Sequence, residues 1–297
     1  MANIKKVAII GASGNAGAPV LTALLDSSFE VTAITRPESK ATFPASVTVK
    51  RVDITSVDAL TSALEGQDAV VSTLASVAIG VDKTIIDAAL TAHVKRYIPS
   101  EFGANTREAR GTKLGGILKS KIENIDYLIE LSEKHDWFTW TGLSTGSFFD
   151  WSFRAGILGI DIKNKTARIY DSGNEPYSAS TLSFIGKSVV AILKKPAETA
   201  NKYLTVASIT ATQREILKIL EEETGSQFQT TTVKTSDLEN IADEKVAKGD
   251  GSAYVEYVIQ WVFADGAGHA VKENAAKLLG LEEEDLREEI KKVLRGL

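Results

Sequence analysis

The chain has 297 residues, 43% of them hydrophobic and 25% charged, with a net charge of −5 and no cysteine. Basic residues are scattered rather than clustered, which argues against an electrostatic footprint for nucleic acid. The missing thiols exclude disulfides, thiolate nucleophiles and cysteine-held zinc or iron–sulfur sites, and three histidines outside any HExxH spacing give no basis for a His-rich metal site.

In chain order, the pattern first predicts a strand over 7–10. The apolar run that forms it is too short for a signal peptide, and no stretch of about 18 apolar residues follows, so the expected compartment is the cytosol. Further strands are predicted over 31–34, 47–52, 69–74, 96–98 and 137–141. Helical patterns lie between them near 16–27, 56–65, 81–92 and 113–134. Strand and helix in alternation predict parallel βαβ units, hence a Rossmann-type doubly wound α/β sheet. Unbroken apolarity in the first strands fits burial on both faces. After Phe148 the rhythm changes to helices near 181–194, 210–224, 236–247, 252–264 and 282–295. Two strand candidates, 167–170 and 203–206, stand among them. The expected organisation is a dinucleotide-binding unit over 1–150 and a smaller, mostly helical C-terminal subdomain over 151–297. Some elements of the second part are expected to return to the main sheet.

The first predicted strand runs into Gly11-Ala12-Ser13-Gly14-Asn15-Ala16-Gly17, a GxxGxxG spacing at the start of a helix. The first glycine permits a tight turn and the second a close approach of backbone to a pyrophosphate. The third lets helix pack on sheet, with the anion held at the helix N-terminus. Ser13, Asn15 and Ala16 are carried in the same loop. The second strand ends in Thr35-Arg36, where an enzyme using NAD usually has a carboxylate. Arginine offers charge-assisted, planar hydrogen bonds suited to a 2′-phosphate, so the expected cofactor is NADP, with Lys40 near enough in sequence to assist. Asp53 after the third strand is a candidate for the adenine edge. Ser72, Thr73 and Leu74 at the end of the fourth strand are expected to border the dinucleotide.

The string Val94-Lys95-Arg96-Tyr97-Ile98-Pro99-Ser100-Glu101-Phe102-Gly103 resembles the isoflavone reductase-like, NmrA-like branch of the atypical short-chain dehydrogenases, the group that includes the phenylcoumaran benzylic ether reductases. The glycine loop and Arg36 match that branch, and Thr145-Gly146-Ser147-Phe148-Phe149-Asp150-Trp151 is similar to its fungal members. The match is dense over 1–151 and thin after about 195. The resemblance implies an NADPH-dependent reductase that transfers hydride to an aromatic or conjugated small molecule, with Ser100 and Phe102 beside the cofactor. It also implies a proton-exchanging lysine on the helix after the string. In Lys119-Ser120-Lys121-Ile122-Glu123 the register points to Lys119, with Lys121 as competitor because the stretch before Trp137 is longer than in the plant enzymes. Helical geometry sets the two about 200° apart, so they cannot share one role. No Tyr-x-x-x-Lys occurs, in keeping with this branch. Phe102, Phe148, Phe149, Trp151 and Tyr177 are the expected walls for a flat substrate.

Two rival readings stand beside this one. NmrA-like proteins also include regulators that bind NADP without turnover and act through a protein partner, and these often lack the lysine. In addition, Gly142-Leu143-Ser144-Thr145-Gly146 matches the G-x-S-x-G form of a serine hydrolase, with His269 downstream. That motif needs a strand–turn–helix elbow in a different sheet.

Overall fold

The computed structural model describes residues 3–75 and 80–296. Its first half runs β1 (Lys6–Ile10), α1 (Gly17–Asp26), β2 (Glu30–Thr35), β3 (Thr48–Arg51), α2 (Val57–Leu64), β4 (Ala69–Ser72), α3 (Asp82–Thr91) and β5 (Arg96–Ile98). It continues through α4 (Thr106–Ala109), α5 (Lys113–Ile117), α6 (Lys119–Lys134) and β6 (Thr139–Ser144). The second half begins β7 (Ser147–Phe148), α7 (Phe149–Arg154), β8 (Ile160–Asp161), β9 (Thr166–Tyr170), β10 (Tyr177–Ser180), α8 (Leu182–Lys194), α9 (Pro196–Thr199) and β11 (Lys202–Thr205). It ends β12 (Ile209–Ala211), α10 (Gln213–Thr224), β13 (Gln229–Val233), α11 (Thr235–Ala247), α12 (Ala253–Phe263), α13 (Ala276–Leu279) and α14 (Leu286–Arg295).

Seven parallel strands form the main sheet in the order β11-β6-β5-β4-β1-β2-β3. This is the Rossmann-type winding, and its order reverses between β1 and β4. Ligands of such sheets bind beyond the carboxyl ends of the strands at that switch point. Val7–Ile10 and Ala69–Ser72 are buried throughout, as strands covered on both faces must be. On one face α1 packs against α8, where Val20, Leu21 and Leu24 meet Phe184, Ile185 and Val189. Gly186 makes that crossing possible, because a Cβ there would stand 2.6 Å from the Pro19 carbonyl oxygen. On the other face α2, α3 and α6 contribute Leu60, Leu64, Ile85, Ile86, Ile125 and Leu128.

The predicted helix over 113–134 is broken at Leu118 into α5 and α6. Gly115 and Gly116 lower helical propensity there, and Gly115 is pressed so close to Ala109 that a Cβ would lie 2.0 Å from its carbonyl oxygen. The predicted helix over 210–224 starts at Gln213, fixed by a capping box between Thr212 and Glu215, and the preceding residues are strand β12. Strand β11 joins the main sheet beside β6, and helix α8 packs on it against α1. Two further three-stranded sheets, β12-β10-β7 and β13-β9-β8, carry the C-terminal half together with its helices. Of their six strands the apolar pattern predicts only β9, over 167–170. Strand β13 reads QTTTV and is almost wholly exposed, while β7 and β8 have two residues each. Among the described residues no helix is long and apolar enough to cross a membrane.

Candidate active site

The glycine loop has the shape its spacing predicts. Gly11 adopts φ +85°, and the Gly14 amide donates to its carbonyl at 2.9 Å. Thr73 closes the loop from β4, its backbone N–H and its hydroxyl both donating to the Ile10 carbonyl at 2.8 Å. A Cβ on Gly11 would meet the Thr73 carbonyl oxygen at 2.8 Å, and one on Gly17 would meet the Gly11 oxygen at 2.1 Å. Helix α1 starts from this cradle with no side-chain cap, and the positive end of its dipole lies at the loop. Backbone without side chains and a helix N-terminus together fit a pyrophosphate.

Gly14, Asn15, Ala16, Thr73 and Leu74 border a cleft of about 1040 Å³ at the carboxyl ends of β1 and β4. Ser100 also lines it and donates to the Leu74 carbonyl at 2.7 Å. Ser13 is exposed in the loop. Ser72 does not border the cleft, because it is fully buried and its hydroxyl donates to Asp82 at 2.7 Å. Arg36 follows β2 with its side chain 67% exposed and Nε 3.3 Å from Glu38, a surface pair worth little energetically. The guanidinium is therefore available to an anion. Lys40 is exposed nearby. The exposed Asp53 carboxylate accepts from the hydroxyl (2.6 Å) and amide (2.9 Å) of Thr55, which hold it below the usual aspartate range.

The two candidate lysines separate as helical geometry requires. Lys119 opens α6 in solvent, its side chain 74% exposed and 3.6 Å from Glu123. Lys121 is buried in the cleft wall. Burial pushes its ammonium below the ordinary lysine range, and the charges of Glu101 and Asp82 pull it back up. The apolar stripe of α6 decides this outcome, because Lys121 stands four residues before Ile125 and seven before Leu128, on the face turned inward. The register that favoured Lys119 thus puts it outside the site.

Glu101 is buried, accepting from the Thr106 hydroxyl and from Tyr203 at 2.8 Å. Burial raises its pKa, opposed by Lys121 and those two donors. Asp82 at the start of α3 is buried too and is pushed up to about 6. Sequence reasoning passed over both. Glu101 lay inside a quoted string without a role, and Asp82 reads as an ordinary acid in the first turn of an amphipathic helix.

Phe102, Phe148, Trp151 and Tyr177 line the cleft. Phe149 does not. It is fully buried in the second core, edge-on to Phe153 with ring centroids 5.1 Å apart. The chain enters α7 between Phe148 and Phe149, which sends adjacent side chains to opposite sides. Phe149→Ala is therefore predicted to cost about 3–5 kcal/mol of stability and to lower the melting temperature while leaving ligand affinity in the surviving fold nearly intact. A thermal melt beside a ligand titration checks this. The far wall, unread in the sequence, comes from the C-terminal half. Trp261 and His269 stack there with centroids 3.4 Å apart, beside Tyr254 and Val258.

The G-x-S-x-G match has no elbow. Ser144 is the last residue of β6 in regular pairing with β11, and its hydroxyl donates to the Gly103 carbonyl at 2.8 Å. His269 lies against Trp261, with Nδ1 3.7 Å from Glu108. A serine committed to a backbone oxygen is not poised for attack.

Comparison with known proteins adds the following. The model of the NmrA-like family matches residues 3–254. The oxidoreductase poxI of Penicillium oxalicum is 34% identical over 290 residues, covering 96% of this chain and 92% of its own. Among solved structures, AtPrR2 with NADP+ and (+)pinoresinol superposes with a TM-score of 0.79 at 21% identity, covering 99% of this chain and 100% of its own. The binary complex of leucoanthocyanidin reductase with NADPH from Vitis vinifera also gives 0.79 at 21% identity, with 98% and 99% covered. At such identities the likeness to the solved structures is one of fold.

Proposed function

The chain belongs to the NmrA-like family, and from that premise we propose that it is an NADPH-dependent reductase acting on an aromatic or conjugated small molecule, with Lys121 exchanging the proton. The observation that carries the reading is Lys121 itself, a buried cation in the wall of the cleft that starts at the glycine loop. A relative called an oxidoreductase and folds of the same shape holding NADP+ or NADPH support it.

The loop from Gly11 to Gly17 at the N-terminus of α1 would hold the pyrophosphate, and Arg36 the 2′-phosphate. When bound, NADPH supplies a hydride and leaves as NADP+. Phe102, Phe148, Trp151 and Tyr177 flank the acceptor and exclude water from it. The electron pair displaced onto the acceptor's oxygen takes a proton from Lys121 Nζ, which is left as a neutral amine and regains its proton from solvent through the open cleft. A lysine whose pKa is lowered by burial gives up that proton more readily near neutrality.

The test is a screen of phenolic and enone acceptors, read by loss of reduced nicotinamide. Turnover that depends on Lys121 supports the reading. Tight NADPH binding with no turnover on any acceptor would favour the redox-sensing regulator instead. Cofactor choice is predicted separately. NADPH should bind more tightly than NADH, and Arg36→Ala should erase most of that difference. A charge-assisted contact of about 1.5–3 kcal/mol corresponds to a roughly ten- to hundredfold loss of NADPH affinity. Equal calorimetric affinities for the two nucleotides in the parent protein would overturn this assignment.

A further inference from the structure

The far wall of the cleft carries an imidazole. His269 follows α12 on a segment without helix or strand, yet that segment is pinned on both sides. Before it, the Gly266 and Gly268 amides both donate to the Glu175 carboxylate at 2.8 Å, and the Ser172 hydroxyl donates to Asp265 at 2.6 Å. After it, the Val271 amide donates to Ser178 at 2.9 Å, and the Asn274 side chain exchanges two hydrogen bonds with the Ala207 backbone. Gly266 and Gly268 take φ of +79° and +68°, which makes the turns that lead the chain back over Trp261. There the two rings lie 11° from parallel with centroids 3.4 Å apart. Trp261 is only 8% exposed, so the stack fixes the plane of the imidazole. The His269 side chain itself stays 28% exposed and lines the cleft.

The edge of the ring is directed as well. Asn105, the N-cap of α4, donates from Nδ2 to Glu108 Oε1 at 2.9 Å, and the Glu108 amide donates back to Asn105 Oδ1 at 3.3 Å. With Oε1 so engaged, Oε2 faces His269, whose Nδ1 lies 3.7 Å away. A carboxylate facing Nδ1 favours the proton on that nitrogen and leaves the lone pair on Nε2. Nε2 has no hydrogen-bond partner among the described residues. Burial holds the imidazole below the ordinary histidine range, with Lys272 acting the same way and Glu108 and Glu175 opposing. At neutral pH the ring is therefore uncharged and Nε2 is an acceptor.

An acceptor nitrogen on an aromatic wall selects for a ligand that brings a donor, because a ligand that displaces water and offers none leaves the lone pair unsatisfied. We propose that His269, held by Trp261 and Glu108, is a specificity-determining residue whose Nε2 accepts a hydrogen bond from a hydroxyl group of the bound acceptor. This deepens the reading of the cleft as the acceptor site and rests on it. Lys121 serves the oxygen that gains charge, whereas His269 serves a second oxygen that remains a hydroxyl. No bond is made or broken at His269.

The test is binding without turnover. Para-hydroxybenzylideneacetone carries the hydroxyl, and its methyl ether has the same ring and enone without the donor. Each is titrated calorimetrically into the protein, alone and with NADP+, which supplies no hydride. The parent should bind the hydroxyl compound roughly three- to tenfold more tightly than the ether, the worth of one net hydrogen bond. His269→Phe keeps a flat ring against Trp261 and removes the nitrogen, so it should erase that preference by weakening the hydroxyl compound alone. Should the phenylalanine pack badly, His269→Leu carries the same test. In the parent, no binding of either compound, or affinity no higher for the hydroxyl compound, would overturn the assignment. A preference that survives in both His269 variants would overturn it equally. If the preference vanishes as expected but no acceptor is ever reduced, His269 keeps its role in binding and the reductase reading fails.

Discussion

Lys121→Ala should lower kcat for any confirmed acceptor by roughly a hundred- to ten-thousandfold, the range typical of a lost general acid or base. Lys119→Ala should turn over almost like the parent. The contrast rests on geometry. The Lys121 ammonium lies within the cleft wall, whereas the Lys119 ammonium is in solvent beside Glu123. NADPH affinity should change only modestly in both, because the phosphates are assigned to the glycine loop and Arg36. Steady-state turnover and nucleotide titration on the two variants check the pair. If Lys119→Ala lost activity while Lys121→Ala kept it, the assignment of the proton donor would be reversed. If both variants kept full activity, no lysine on α6 would serve as the acid.

Much of the nucleotide half could be read from residue pattern, and the reason is physical. A strand buried on both faces must be apolar without alternation, and a loop that brings backbone against a phosphate must lack side chains at fixed intervals. Val7–Ile10 and Gly11, Gly14 and Gly17 display both constraints. The choice between Lys119 and Lys121 was legible too: helical periodicity sends them in opposite directions, and Lys121 is the one in step with Ile125 and Leu128 on the buried face, a cue outweighed by the register that the resemblance suggested. The pair Phe148 and Phe149 is harder, since adjacent residues at a helix start face the cleft and the core respectively. The far wall was beyond reach for another reason. Trp261 and His269 come from α12 and the loop after it, and reach the cleft through packing that no local pattern encodes. Asp82 and Glu101 were hidden because a buried acid and a solvated one look alike until the fold surrounds them.

Gly17→Ala should weaken nucleotide binding by at least about a hundredfold without unfolding the protein. A Cβ at this position would stand 2.1 Å from the Gly11 carbonyl oxygen and 2.8 Å from the Thr73 hydroxyl. The oxygen belongs to backbone that Gly14 also holds by a 2.9 Å hydrogen bond, so it cannot rotate aside as a flexible side chain would. Relief must come from lifting the start of α1 or opening the loop, and either movement takes the loop backbone and the helix N-terminus away from the pyrophosphate. Losing two charge-assisted contacts of about 1.5–3 kcal/mol each weakens NADPH by roughly a hundred- to ten-thousandfold. Gly116→Ala provides the comparison. Its Cβ would meet nothing within 4 Å, and it lies inside α5, so alanine should stabilise by about 0.5–1 kcal/mol and leave nucleotide affinity unchanged. Calorimetric titration of NADPH and a thermal melt on both variants separate a defect of the cradle from a defect of the fold. Parent-like affinity in Gly17→Ala would mean that the nucleotide is not held by this loop, and the proposed cofactor site would fall with it.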